Sequence, residues 1–147
     1  MAYTGAMRVD ILMIGKIGER AYKDLVEGYL KRLTGRFPVE LHHCRDEAEM
    51  EKRARAAEWL VCLDERGRKP DSENFSRWIG ERINSGLGRL TFCVGGAAGL
   101  TDGVRAAAKE TVSLSPLTLN HQLALLVLAE QFYRGVSILF GEPYHKR

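Results

Sequence analysis

Short apolar runs, separated by stretches of helical periodicity, constrain the fold of this chain more than any other feature. The runs stand at 9–14, 39–44, 60–63 and 90–94, and a final one begins near Val112. Each is too short for an ordinary helix, and a strand that is buried on both faces reads as a continuous apolar run. Strands of this kind that alternate with helices predict an α/β fold, with one parallel sheet covered by helices on both faces.

The stretches between the runs carry helix patterns. In the first, which Gly35 ends, apolar residues recur at steps of three and four: Tyr22, Leu25, Val26, Tyr29, Leu30 and Leu33. Asp46, followed three residues later by Glu49, has the form of an N-cap, and its helix is expected to run to about Ala57. Further helices are expected at about 101–110 and 121–139.

The third apolar run leads into a charged segment at 64–70, which is expected to be an irregular loop because it contains glycine and proline. Ser72 is expected to cap the helix that follows. The core residues of that helix would be Phe75, Trp78, Ile79 and Ile83.

One domain accounts for the length and composition of the chain. It has 147 residues, 45% hydrophobic and 28% charged, as an ordinary soluble globular protein does. Residues 7–147 are expected to form the domain, and residues 1–6, which lack periodicity, a leader or a loose end. The longest nearly apolar run, 123–129, is far below the ~20 residues that a bilayer span needs. We therefore expect a cytoplasmic protein without membrane association.

The cysteines and histidines do not form a metal-binding pattern. Cys44, Cys62 and Cys93 are odd in number and widely spaced, so buried free thiols are expected rather than disulfides or a metal site. His42 and His43 precede Cys44, but neighbours in an extended segment point to opposite faces and do not converge on one ion. No metal is predicted.

The net charge of +3 is mild for a protein that would bind nucleic acid by charge alone. The basic residues include three clusters: Lys31, Arg32 and Arg36; Arg66, Arg68 and Lys69; and Lys146 and Arg147. Each cluster by itself is typical of solvated surface. Gathered around one cleft, they would hold RNA phosphates.

The strand ends indicate where a ligand binds. Open α/β sheets bind ligands outside the carboxyl ends of their strands, and three of the runs end in segments that therefore meet at one crevice. The residues predicted to bind a cofactor there are Leu63, Gly95, Leu114, Ser115, Pro116, Leu117, Thr118 and Leu119.

The residue types in these loops limit the class of ligand that the crevice can bind. No GxGxxG motif follows the first run and no GxxxxGK[ST] motif occurs, so the two common phosphate cradles are missing. Gly95 and Gly96 let a backbone approach an adenosine or a phosphate equally well. The alternative for residues 95–99 is a tight turn into a helix. The neutral loop at 114–119 favours an adenine ring over a triphosphate.

Four motifs in the last third of the chain carry a resemblance to a known family. They are Val94-Gly95-Gly96 with Gly99-Leu100, then Leu114-Ser115-Pro116-Leu117-Thr118-Leu119 with His121, then Glu130-Gln131-Phe132-Tyr133-Arg134, and finally Pro143-Tyr144-His145-Lys146. In this order they resemble the ribosomal RNA large subunit methyltransferase H family of the SPOUT methyltransferases. Residues 8–33 also resemble the family's opening strand and helix, so the similarity spans nearly the whole chain.

The resemblance implies a fold, a cofactor and a substrate together. It implies a SPOUT-type fold with a deep trefoil knot near the C-terminus, where S-adenosylmethionine binds. It implies N3-methylation of a pseudouridine in a stem-loop of 23S ribosomal RNA, whether free or within the ribosome. It also implies a homodimer with a site shared between subunits. The helix at 121–139 agrees with that, because it is more apolar than one sheet contact needs.

The C-terminal motif offers groups for such a reaction, which must remove the proton from N3. His145 is the natural base near neutral pH, Tyr144 is expected to stack on the target base, and Arg134 and Lys146 are expected to hold phosphate. The alternative for Tyr144 and His145 is a frayed tail. Because the tail has little apolar surface, it is expected to be partly mobile in the free protein.

Three positions depart from the family pattern. Asn120 stands where proline is usual, and Ala98 stands where a polar or acidic residue is common. Leu125 replaces an arginine that is commonly found four residues after the histidine, so one expected cation is missing from the RNA contacts.

Two other classes of function remain open from the sequence. The same sheet would serve a nucleotide-dependent or dinucleotide-dependent α/β enzyme, and the same fold would serve a non-catalytic RNA-binding module. Binding of S-adenosylmethionine against NAD and ATP separates the first class, and methyl transfer to ribosomes separates the second.

Overall fold

Five parallel strands form one sheet in the computed structural model, which describes residues 7–96 and 98–145 except for the side chain of His145. The elements follow the chain as β1 (Arg8–Ile14), α1 (Arg20–Leu33), β2 (Val39–Cys44), α2 (Glu47–Arg55), β3 (Leu60–Arg68), α3 (Ser72–Asn84), β4 (Arg89–Val94), α4 (Asp102–Ala107), β5 (Glu110–Val112), α5 (His121–Leu139) and a 3₁₀ turn (Pro143–His145). The predicted α/β class and parallel sheet are confirmed. The predicted leader at 1–6 lies outside the described residues.

The strands lie in the order β2-β1-β4-β3-β5, and every neighbouring pair is parallel. Ile14 pairs with Cys44, and Leu63 pairs with both Val94 and Val112. All five strands therefore point toward the same edge of the sheet. Because β3 lies between β4 and β5, the residues that follow Leu63 in β3 lie beside the segments that follow β4 and β5.

Different helices cover the two faces of the sheet. Alternate strand residues such as Ile11 and Phe92 are buried with α1, α3 and α5, whereas Leu12 and Cys93 are buried with α2 and α4. Phe132 of α5 packs edge-on against Phe92, with ring centroids 5.7 Å apart. The prediction of helices on both faces is confirmed. None of these helices, within the described ranges, has both the length and the apolarity that crossing a bilayer requires.

Short polar side chains cap α2 to α5, whereas α1 has no side-chain cap among the described residues. Asp46 accepts a hydrogen bond from the backbone N–H of Glu49, as predicted, and the Glu49 side chain accepts one from the N–H of Arg45. The prediction that Ser72 caps α3 is wrong. Asp71 accepts from the N–H of Asn74 instead, and the Ser72 hydroxyl donates to Gln131 of α5. Aspartate and serine are equally good caps, so the sequence alone did not separate these neighbours.

Residues 64–70 do not form the irregular loop that the sequence predicts. β3 continues to Arg68, and its register against β5 shifts so that Leu63 and Arg68 both face Val112. The N–H of Ser113 donates to the carbonyl of Arg68 at 2.6 Å, which ties the charged segment to the sheet. α4 is also shorter than predicted, because Ala108 already has an extended backbone and the chain turns into β5.

The three cysteines are buried and free, as the sequence predicts. Burial raises the pKa of Cys62 to about 11, and it also raises the pKa values of Cys44 and Cys93. These thiols therefore stay protonated at neutral pH and act as small apolar side chains of the core.

The contact between β3 and β5 leaves no room for a side chain at Gly67. A Cβ there would lie 2.7 Å from the backbone carbonyl carbon and oxygen of Thr111, whereas a Cβ at Gly28 in α1 meets nothing within 4 Å. Gly67→Ala is expected to lower the free energy of unfolding by about 1–3 kcal/mol. Gly28→Ala, the matched control, is expected to raise it by about 0.5–1 kcal/mol because alanine favours the helix. Denaturant titration measures both, and equal effects would contradict the close contact.

Candidate functional site

A cavity of about 290 Å³ opens beside the middle of β3, at the edge of the sheet where β4 and β5 end. Seven of the eight residues that the sequence predicts for cofactor binding line it: Leu63, Gly95, Leu114, Ser115, Leu117, Thr118 and Leu119. Pro116 is exposed and does not line the cavity. The fold thus brings together residues that are more than fifty positions apart in the chain.

The glycine loop after β4 forms one wall of the cavity. The N–H of Gly99 donates to the carbonyl of Gly96 at 2.9 Å, and Gly99 has a φ of 81°, which favours glycine. A Cβ at Gly95 would lie 3.0 Å from the carbonyl carbon of Gly99 and 3.1 Å from the nitrogen of Leu100. The loop is therefore a tight turn, the alternative that the sequence left open, and it lines a cavity as well.

The loop between β5 and α5 forms the opposite wall. The Ser113 hydroxyl donates to the carbonyl of Ser115, and the Ser115 hydroxyl accepts from the N–H of Leu117, so the loop has a defined shape. Leu117 keeps 72% of its surface exposed and lies at the mouth of the cavity. Asn120 accepts from the N–H of Leu123 and caps α5, which gives this departure from the family pattern a structural role.

Charged side chains that the sequence reasoning missed line the rim. Asp64 pairs with Arg105 at 2.9 Å and with Arg66 at 3.3 Å, and the Arg105 Nε donates to the carbonyl of Leu100. Glu65 accepts from the Thr118 hydroxyl across the cavity at 2.6 Å. The sequence signal for these residues was that Asp64 and Glu65 directly follow the apolar run that ends at Leu63.

The C-terminal tail is anchored through Tyr144. Its hydroxyl donates to a Glu130 carboxylate oxygen at 3.0 Å, and the Tyr29 hydroxyl lies 2.8 Å away as its donor. The ring packs edge-on against Tyr133, with centroids 4.7 Å apart, and the Arg134 guanidinium lies over it at 5.1 Å. Burial and these hydrogen bonds raise the pKa of Tyr144.

These contacts overturn the expectation that the tail has little with which to anchor itself, at least as far as Tyr144. That expectation overlooked a tyrosine, which offers both an apolar ring and a hydrogen-bonding end. Arg134 itself is paired with Glu130 at 2.8 Å. The predicted base, the His145 side chain, and the predicted cation Lys146 lie outside the described residues, as does Arg147.

The tail and the cavity lie at different places along α5. His121 and Ala124 line the cavity, whereas Tyr144 packs against Glu130 and its neighbours. The six residues from Ala124 to Glu130 span about 9 Å of helix axis. The structure therefore groups the predicted cofactor residues with one another and Tyr144 with Arg134, and within the described residues these two groups lie apart along α5. Leu125 is fully buried in the core.

His42 and His43 point apart, as the sequence predicts. His43 Nδ1 lies 2.8 Å from the carbonyl of Gly15, and His42 Nε2 lies 2.9 Å from Asp10. Asp10, Glu40 and His42 have ligand-type atoms within 4.8 Å of one another. Arginines already contact two of these groups, however: Arg89 pairs with Asp10 at 3.1 Å, and Arg53 lies 3.2 Å from His42 Nδ1. The cluster is an ion-pair network that joins β1, β2 and β4.

Comparisons with known proteins agree on one family. A family model described as "Predicted SPOUT methyltransferase" matches residues 7–145. "Ribosomal RNA large subunit methyltransferase H" of Synechococcus sp. (strain CC9311) is 44% identical over 143 residues, which cover 95% of this chain and 96% of that protein. The protein of the same name from Syntrophomonas wolfei is 39% identical, over 95% of this chain and 100% of its own length.

Solved structures show the same fold at low sequence identity. A Legionella pneumophila protein, solved with the bound cofactor S-adenosylmethionine, is 10% identical with a TM-score of 0.50 and covers 90% of this chain and 67% of its own. Another solved chain, described only as a hypothetical protein, reaches a TM-score of 0.56 at 15% identity, over 92% of this chain and 82% of its own.

The anchoring of Tyr144 predicts a pH dependence of stability. The pKa of Tyr144 is raised in the folded protein, so the tyrosine ionises first in the unfolded chain, near pH 10. Above that pH, ionisation lowers the free energy of the unfolded state and so reduces the stability of the folded one. The difference in unfolding free energy between the wild type and Tyr144→Phe, about 1 kcal/mol, should be complete below about pH 10 and shrink above it. Urea titrations from pH 8 upward measure it, with Tyr22→Phe as the control. A difference that grows above pH 10 would contradict the anchor.

Proposed function

The chain belongs to the ribosomal RNA large subunit methyltransferase H family of the SPOUT methyltransferases, and we propose that it methylates large-subunit ribosomal RNA with S-adenosylmethionine as the methyl donor. The observation that carries this proposal is the convergence of the family's glycine loop and of its second loop, residues 114–119, on one cavity. The proposed acceptor is N3 of a pseudouridine in a 23S stem-loop, and the proposed place of action is the cytoplasm.

The residues around the cavity fit the cofactor. Leu63, Leu114 and Leu119 give apolar walls that suit an adenine ring, and the absence of a Cβ at Gly95 keeps the backbone wall thin. Glu65 places a carboxylate at the rim, where it suits ribose hydroxyls or an ammonium group. When bound, S-adenosylmethionine supplies an electrophilic methyl group on a sulfonium.

Removal of the proton from N3 is assigned to the side chain of His145. An imidazole is the side chain whose ordinary pKa suits proton removal near neutral pH, and His145 directly follows the anchored Tyr144. The family resemblance supports this assignment. Arg134, held by Glu130 beside Tyr144, is proposed to face the RNA, although the Tyr144 ring already packs against Tyr133 and is less suited to stacking on a base.

We propose that the complete site forms between two copies of the chain, with the tail of one copy at the cavity of the other. The separation of tail and cavity along α5 supports this arrangement. Apolar side chains on α5 that are only half-buried, among them Leu123, Leu126 and Val127, provide surface for the second copy. We further propose that the segments at 95–100 and 113–120 belong to the trefoil knot that the family resemblance implies.

Methyl transfer to ribosomal RNA tests the function directly. Purified protein and labelled S-adenosylmethionine are incubated with free 23S RNA, large subunits and whole ribosomes from a strain that lacks this protein. One methyl group is expected on a single pseudouridine, located at N3 by mass spectrometry of the isolated fragment. Binding of the cofactor without transfer to any of these acceptors would favour a non-catalytic RNA-binding module. Tighter binding of NAD or ATP would favour a nucleotide-dependent enzyme.

A mixture of two inactive variants tests the shared site. Gly95→Ala is expected to displace the backbone of Gly99 and Leu100 and abolish cofactor binding. His145→Ala is expected to keep binding and lose about 10²–10⁴-fold in rate. If the site is shared, equal mixing with subunit exchange should restore about a quarter of wild-type activity, because half of the dimers then contain one intact site. Calorimetry and circular dichroism on each variant are the controls. No recovery, despite exchanged subunits, would contradict a shared site.

A further inference from the structure

A second cleft lies between the C-terminal end of α1 and the second half of α5. It has a volume of about 310 Å³, and its lining includes Arg32, Arg36, Tyr133 and Glu142. Two arginines of the basic cluster at 31–36, which the sequence pattern left as ordinary surface or a phosphate contact, therefore line a concave site. The cavity at the strand ends shares no lining residue with it.

Arg32 is held in place by aromatic rings. Its guanidinium lies 5.5 Å from the ring centroid of Tyr29 and 5.6 Å from that of Tyr133. No carboxylate among the residues the structure describes lies within ion-pair distance of it, although ion pairs are frequent elsewhere on this surface. Because no carboxylate in the described part of the chain neutralises its charge or competes for its N–H groups, the Arg32 guanidinium is free to bind an anionic ligand.

Arg36 provides a second guanidinium in the same cleft. It lies 3.7 Å from the ring centroid of Phe140 and pairs with Glu142. Two guanidinium groups and one carboxylate leave the cleft a net positive charge, and exposed Lys31 adds to it. The ligand that suits such a site is an anion with several acceptor oxygens, because a guanidinium offers two parallel donors.

The cleft adjoins the anchored tail. Tyr133 lines the cleft and also packs against Tyr144, and Tyr29 contacts both Arg32 and Tyr144. An anion bound to Arg32 would therefore lie one layer of aromatic rings away from Tyr144, the residue before His145. For an RNA substrate, such an anion is a backbone phosphate close to the target nucleotide.

We propose that this cleft, through Arg32 and Arg36, binds a backbone phosphate of the RNA substrate near the target nucleotide. The proposal rests on the proposed function, since it takes RNA as the substrate. Contacts to phosphate fix the register of a nucleic acid without reading its sequence. The cleft would thereby position the target nucleotide relative to the tail.

Arg32→Gln and Arg36→Gln test the proposal, with Arg20→Gln as the matched control. Arg20 lies on the same helix, about 18 Å from Arg32 along the axis, and has 93% of its side chain exposed. The binding constant for a fluorescent 23S stem-loop fragment is measured by anisotropy at several salt concentrations, together with cofactor affinity and thermal stability. Inorganic phosphate and an unrelated RNA hairpin serve as competitors.

Arg32→Gln is expected to weaken RNA binding about tenfold and to reduce the salt slope by about 0.7–0.9. Cofactor affinity should not change, Arg20→Gln should match the wild type, and Arg32→Lys should regain part of the binding because it keeps the charge. Both hairpins should compete, and inorganic phosphate should compete only weakly.

The proposal is overturned if Arg32→Gln and Arg36→Gln bind RNA like the wild type, or if Arg20→Gln weakens binding as much as they do. It is also overturned if inorganic phosphate competes as well as RNA does, which would make this a site for a free anion. A wild-type protein that methylates no RNA would instead contradict the proposed function, so the two failures are distinguishable.

Discussion

The pairing of β3 between β4 and β5 is the constraint on which the candidate site depends. Leu63 lies opposite both Val94 and Val112, so the residues that follow it in β3 lie beside the segments that leave the sheet after β4 and β5. Each of the three contributes a different surface: carboxylates within β3, bare backbone after β4 and a neutral loop after β5. A slip of one residue in either pairing would turn the side chains of one strand to the opposite face and separate these walls.

The sequence predicted those features of the fold that depend on local pattern. The strands and the core stripe of α3 followed from runs and periods of apolar residues, and the bounds of α5 were predicted as the structure has them. The extension of β3 to Arg68 was not predictable in this way, because its residues are charged and only the partner strand shows that they belong to the sheet. The choice of Asp71 over Ser72 as a cap depends on Gln131, far away in the chain.

The candidate site likewise has features that the sequence predicts and features that depend on contacts between distant residues. A general rule about strand ends predicted most of the cavity, since it depends only on which residues end the strands. Pro116 does not line the cavity, because a loop of six residues does not turn all of its side chains inward. The anchoring of Tyr144 by Tyr29 and Glu130 could not be predicted from the local sequence, because the three residues come from separate parts of the chain. Two arginines of one basic cluster also have different surroundings: Arg66 lines the cavity, whereas Arg68 pairs with Glu110.

The rigidity of α5 connects this geometry to the assembly of the protein. The helix has 19 residues and is about 28 Å long; its first turn lines the cavity and its second half holds Tyr144. Buried residues Leu125, Leu128 and Phe132 pack it into the core that covers the sheet, so its two ends keep their separation in this structure. The proposed reaction needs the cavity and the tail at the same substrate atom. In the proposed dimer, a second copy would meet this need if its tail approached the cavity from outside. The apolar side chains of α5 that remain half-buried then lie where that copy would pack, so one helix would supply cavity wall, tail anchor and contact surface.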